Sequence, residues 1–120
     1  MSERAQRPVT GRVLVARLAE QVIALENGVS ATAGRDRRWV TADLDREIDG
    51  VVVAETGHGH VDIDLHLVAD WPPEPLQHLA AQLRRRLRRS ASMAGLSDRV
   101  GEIAVAIHDV REPEHASAVR

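Results

Sequence analysis

Residues 60–69, HVDIDLHLVA, alternate between apolar and polar side chains. Val61, Ile63 and Leu65 fall on one face of an extended chain, whereas Asp62 and Asp64 fall on the other. Successive side chains of a strand point to opposite faces, so the pattern predicts a strand with one buried and one solvated face. Such a strand needs a partner layer on one side only.

The flanking segments predict the rest of the sheet. Residues 51–53 are three valines, and Thr-Gly-His-Gly at residues 56–59 has the composition of a hairpin turn. An acidic loop is predicted at residues 45–49, closed by Gly50. Further strands are predicted at residues 29–33, 39–44 and 102–110.

Two helices are predicted from apolar side chains that recur every three or four residues. The first covers residues 13–26 and ends at Asn27-Gly28, a pair suited to a left-handed cap. The second covers residues 74–94, accepts Pro75 in its first turn and ends at Gly95. The order α-β-β-β-β-α-β predicts an α+β two-layer sandwich, with both helices on one face of a mixed sheet of four to five strands.

Length and termini predict one cytoplasmic domain. A chain of 120 residues has the usual size of a single domain. The polar ends, residues 1–10 and 111–120, contain Pro8 and Pro113 and are expected to be flexible, which leaves residues 11–110 as the domain. The absence of cysteine, of a signal-peptide pattern and of a long apolar run predicts a cytoplasmic protein without a membrane-spanning segment.

Composition excludes several function classes. All 16 basic residues are arginine, which excludes a Schiff-base or phosphate-loop lysine. The lack of cysteine excludes thiolate catalysis and cysteine-ligated zinc. An aromatic fraction of 2% and a formal net charge of −2 disfavour a protein that stacks single-stranded bases or is generally attracted to polyanions.

The polar face of the central strand carries the candidate metal and acid–base groups. His60, Asp62 and His66 are candidate metal ligands, because alternate residues of a strand share a face. Asp62 and Asp64 with His66 could instead form an acid–base set. A solvated face is the simpler interpretation, since an open strand lacks a pocket that would shift pKa values. We predict no catalytic residue, no cofactor and no metal.

The second helix carries the strongest local charge, in the sequence LRRRLRR at residues 83–89. Leu83 and Leu87 join its apolar stripe, and the arginines cover its other sides. A solvated face partly paired with acids explains the pattern most simply, but an acidic partner, anionic lipid or nucleic acid would also fit. A KH-like RNA binder would need a Gly-x-x-Gly loop, which the sequence lacks. The candidate interaction surface is Arg84, Arg85, Arg86, Arg88 and Arg89.

Several segments also carry a family resemblance in their order and spacing. They are the glycine-led helix and Asn-Gly-Val of residues 11–29, the strand ending at Gly34, WVTADL at 39–44, DGVVV at 49–53, VDIDLHLV at 61–68 and IAVAIHDV at 103–110. Over residues 11–110 the chain resembles the bacterial alkaline shock protein family of envelope stress proteins. It departs from the family's pattern at residues 71–74, Trp-Pro-Pro-Glu, where a Tyr-Gly-like pair tends to stand.

The resemblance implies a non-enzymatic envelope stress response protein that acts by protein–protein contacts. It would be a cytoplasmic scaffold or adaptor at the inner face of the cell membrane that forms homo-oligomers. A small membrane-anchored protein would tether it, and sibling domains, that is, other domains of the same family, would be further partners. The family has no established active site, so no catalytic residue is carried over. Two alternatives stay open: a nucleic-acid-binding adaptor that uses the Arg-rich second helix, and a metal-dependent enzyme at His60, Asp62 and His66.

Overall fold

The two predicted helices are present in the computed structural model, which describes residues 10–71 and 75–112. Helix α1, Gly11–Leu25, begins after Thr10, whose hydroxyl accepts a hydrogen bond from the Val13 amide over 3.3 Å. Helix α2, Leu76–Met93, is followed by Gly95 at a φ of 75°, a left-handed conformation that ends helices. Side chains spaced four residues apart form its buried stripe: Leu79, Leu83, Leu87 and Ala91.

Four strands form the main sheet, which is mixed as predicted. Strand β5, Val61–Asp70, pairs antiparallel with β1, Val29–Ala31, near its end and with β4, Val51–Glu55, along its first half. Strand β6, Val100–Arg111, pairs in parallel with β5 along its whole length. Because β6 takes one entire side of β5, β1 and β4 share the other side, and β6 lies at an edge.

The strand predicted at residues 39–44 is present, but the predicted acidic loop after it is a strand, and the two form a separate two-stranded sheet. Strands β2, Val40–Asp43, and β3, Arg46–Asp49, pair antiparallel. The loop prediction for residues 45–49 was wrong. Ile48 is the only apolar residue in that run, so the sequence shows no alternation there. In the structure the side chain of Ile48 is completely buried and anchors the strand. Asp43, also buried, binds Arg17 of α1 through both carboxylate oxygens, at 2.7 and 2.8 Å, and so fixes the small sheet to the helix.

The core lies between the helices and one face of the main sheet. Helix α1 packs on β1, β4 and β5, whereas α2 packs on β6 and on α1. Every second residue of β5 is buried, as the alternation predicts: Val61, Ile63, Leu65, Leu67 and Ala69. The opposite face of the sheet carries the Asp and His side chains.

The predicted flexible ends lie largely outside the described residues. Among their members only Thr10, Arg111 and Glu112 are described, and Arg111 is the last residue of β6. Its guanidinium donates a hydrogen bond to Ser30 Oγ at 2.6 Å and lies 3.6 Å from Asp70. No helix in the described part of the chain is long and apolar enough to span a membrane.

Candidate interaction surface

Two of the five candidate arginines are bound to the edge strand. Arg84 donates from Nε to the carbonyl oxygen of Ile103 at 3.0 Å, and Arg88 donates from Nη2 to that of Gly101 at 2.9 Å. The arginines are one helical turn apart and the carbonyls are two residues apart on β6. Arg84 and Arg88 therefore cover the start of the strand's outer edge.

A third arginine joins the two helices. Arg86 Nε lies 3.2 Å from Glu26 Oε1, and the Glu26 side chain is only 7% exposed. Gln82 donates to the other carboxylate oxygen of Glu26 at 3.0 Å. Because a buried carboxylate is costly without compensating charge, Arg86 stabilises the fold as well as facing solvent.

Arg85 and Arg89 are the two candidate arginines without a polar contact to any described residue. Both are exposed, and neither makes a hydrogen bond or an ion pair with any residue in the described ranges. Like charges one helical turn apart repel each other slightly, so the pair brings no stability of its own. With Gln82 and Arg86 they line a shallow depression of about 410 Å³. The predicted five-residue surface thus reduces to a pair of available guanidiniums, which we call the Arg85/Arg89 pair.

The candidate metal ligands do not converge. His60 precedes β5, while Asp62 and His66 lie four residues apart on its outer face, a separation of about 13 Å at roughly 3.3 Å per residue. Asp62 Oδ1 instead accepts a hydrogen bond from the Glu102 amide at 2.9 Å. Within residues 10–71 and 75–112, no three His, Asp or Glu side chains form a group able to hold a metal ion.

His66 belongs to an aromatic cluster that sequence analysis missed. Its Nδ1 lies 2.8 Å from Nε2 of His108, so one neutral ring donates a hydrogen bond to the other. Trp39 stacks on both imidazoles, with ring-centre distances of 4.6 Å to His66 and 4.0 Å to His108. The three rings tie β5, β6 and the segment before β2 together on the outer face of the sheet.

A bulge and a glycine make this cluster possible. Leu67 pairs with Ile107 but Val68 pairs with Asp109, so His108 is an extra residue in β6. Bulges re-aim side chains, and here the extra residue reaches Trp39. On the other side Gly34 approaches the indole so closely that an added Cβ would lie 2.7 Å from it. Neither the register nor this close approach leaves a periodic signal in the sequence.

The surroundings of His66 favour its neutral form. Burial lowers the pKa of His66, and the neighbouring His108 lowers it further, while Asp64 acts in the opposite direction. His66 is therefore protonated less readily in the folded protein than a histidine in water.

No protein-family model, curated protein or solved structure matches the chain.

Proposed function

We propose that this chain is a non-enzymatic envelope stress response protein of the alkaline shock protein family. It acts as a cytoplasmic scaffold or adaptor near the membrane, through protein–protein contacts and self-association. The order and spacing of the segments in residues 11–110 support the family assignment. The observation that carries the mode of action is the Arg85/Arg89 pair, which is exposed and serves no contact within the described chain.

The chemistry of that pair favours an acidic protein segment as partner. Guanidinium groups bind carboxylates through two parallel hydrogen bonds, and residues four apart on a helix are neighbours on its surface. The formal net charge of the chain is −2, so attraction to an acidic partner has to be local. An acidic stretch beside the membrane span of a small anchored protein would meet both arginines at once.

Direct insertion of α2 into a membrane is disfavoured. An amphipathic helix binds lipid through its apolar side. That side of α2, which includes Leu79, Leu83 and Leu87, is buried against the sheet and α1. Recruitment through a membrane-anchored protein leaves this packing intact.

A nucleic-acid-binding adaptor is the second candidate, because the depression beside the Arg85/Arg89 pair also contains Arg86 and Gln82. In duplex DNA each neutralised phosphate adds roughly −0.9 to the slope of the logarithm of the binding constant against the logarithm of the salt concentration. Two available guanidiniums predict a shallow slope and weak binding. Retention of RNA or DNA by the pure protein, measured across salt concentrations, separates this candidate from the scaffold.

The scaffold is tested by reversing the charge of the pair. We expect Arg85→Glu/Arg89→Glu to move the protein from the membrane fraction of its source cells to the soluble fraction, with an unchanged circular dichroism spectrum. Arg35→Glu/Arg38→Glu is the matched control, because it makes the same charge change at two exposed loop arginines. Membrane recovery of the Arg85/Arg89 variant equal to that of the wild type would contradict the proposal.

A further inference from the structure

The outer edge of β6 is only partly covered. The N–H and C=O of one strand residue point to the same side, and successive residues alternate. The Gly101 and Ile103 carbonyls, bound by Arg88 and Arg84, therefore define the outer side, and Val105 and Ile107 face the same way. No strand in residues 10–71 and 75–112 pairs with this side of β6. The bulge at His108 ends the regular edge.

An apolar groove runs beside the uncovered part of the edge. It lies between α2 and β6 and has a volume of about 400 Å³. Its lining residues are Leu76, Gln77, Ala80, Arg84, Val105 and Ile107. The Leu76 side chain, at the start of α2, is 41% exposed. Unpaired backbone groups next to exposed apolar side chains are the features to which an added strand binds.

We propose that β6 of a second copy of this chain occupies this edge, antiparallel, with Val105 of each copy opposite Ile107 of the other. The inference rests on the proposed function and specifies how its self-association is built. Each Val105–Ile107 pair exchanges two backbone hydrogen bonds. The two four-stranded sheets then form one continuous sheet.

The side chains of β6 suit this register. Ala106 falls on the two-fold axis and faces Ala106 of the second copy. It forms a pair without backbone hydrogen bonds, the type in which Cα atoms approach to about 4.5 Å and side chains are closest. Alanine is small enough for that approach, while Val105 and Ile107 bring apolar groups together on the helix side.

The charges of β6 favour an antiparallel second copy. At the start of the strand Arg84 and Arg88 lie over the edge and outnumber the exposed Glu102. At the end of the strand the exposed acids Asp109 and Glu112 outnumber the exposed Arg111. Antiparallel pairing sets the basic start of each copy against the acidic end of the other. Parallel pairing would place like charges together.

A cysteine cross-link tests this register directly, because the chain contains no cysteine of its own. Ala106→Cys is a small change, and a Cα separation of about 4.5 Å permits a disulfide. We expect mild oxidation to convert this variant to a covalent dimer. Ala104→Cys, on the same face of β6, is the control: in this register the two Ala104 residues lie about 13 Å apart and cannot cross-link.

A charge-swap experiment provides a second, independent measurement. Ala106→Glu and Ala106→Lys each place like charges opposite one another, and each should weaken the dimer by at least about tenfold in sedimentation velocity. Mixing the two variants should restore dimers. Each variant is checked by circular dichroism.

Monomeric wild-type protein at all accessible concentrations, or equal cross-linking of Ala106→Cys and Ala104→Cys, would overturn the inference. Absence of dimers in the mixed charge-swap sample would do the same. These outcomes are separable from the recruitment test. Loss of recruitment in Arg85→Glu/Arg89→Glu with an intact cross-link supports both proposals, whereas intact recruitment with an intact cross-link contradicts the Arg85/Arg89 assignment alone.

Discussion

The guanidinium of Arg84 binds the carbonyl oxygen of Ile103 across 3.0 Å, so a helix side chain covers the edge of a strand. Arg88 repeats the contact one turn later, at Gly101. Unpaired strand edges are open to other chains, and covering them limits where pairing can occur. The arginines of α2 therefore divide into residues that shape the edge and the Arg85/Arg89 pair, which remains available for a partner.

Removal of the Arg84 contact should destabilise the fold. Arg84→Gln is expected to lower the free energy of unfolding by about 1 kcal/mol, the usual value of one hydrogen bond. Urea titration measures this loss. Arg85→Gln, which removes the same charge without a described contact, should stay within about 0.5 kcal/mol of the wild type.

Gly34 should be much less tolerant of substitution than a second glycine with similar backbone geometry. Gly34 and Gly59 have φ values of 85° and 82°, but only Gly34 has a neighbour, Trp39, that an added Cβ would meet. Gly59→Ala should cost about 1 kcal/mol through backbone conformation alone. Gly34→Ala should cost roughly 1–3 kcal/mol more, because the indole must leave the histidines. Chemical unfolding and tryptophan fluorescence check this, and equal losses in the two variants would contradict the packing role of Trp39.

The His66 cluster predicts a stability that falls with acidification. The pKa of His66 is lowered from its ordinary value of 6.5, so the folded state binds protons less readily than the unfolded chain does. The free energy of unfolding should therefore be highest above pH 6.5 and decline as the pH falls below it. His66→Phe keeps a stacking ring without a titrating group and should reduce this decline. His58→Phe, in the exposed turn, should retain the wild-type slope in urea titrations at several pH values.

The sequence was most informative where periodicity governs structure. The alternation of Val61, Ile63 and Leu65 predicted the central strand and its buried face, and the four-residue spacing of leucines predicted α2. Strand β3 was missed because a single apolar residue, Ile48, carries no period. Helical spacing places an arginine on a helix face but does not tell which strand edge that face meets.

The aromatic cluster was also beyond sequence analysis, for a different physical reason. His66 and His108 become neighbours only through the parallel register of β5 and β6 and the bulge at His108. Trp39 joins them from a segment 27 residues before His66 in the chain. Contacts of this kind depend on tertiary packing, which local patterns do not encode.

The most direct test of the scaffold function is recovery of partners from nuclease-treated, gently detergent-solubilised source cells that express the tagged protein. We predict that the wild type and Arg35→Glu/Arg38→Glu recover a small membrane-spanning protein together with sibling domains, and that Arg85→Glu/Arg89→Glu does not. Recovery of that protein by the Arg85/Arg89 variant would contradict the account. So would recovery, without nuclease, of ribosomal or nucleoid proteins alone, which would favour the nucleic-acid adaptor.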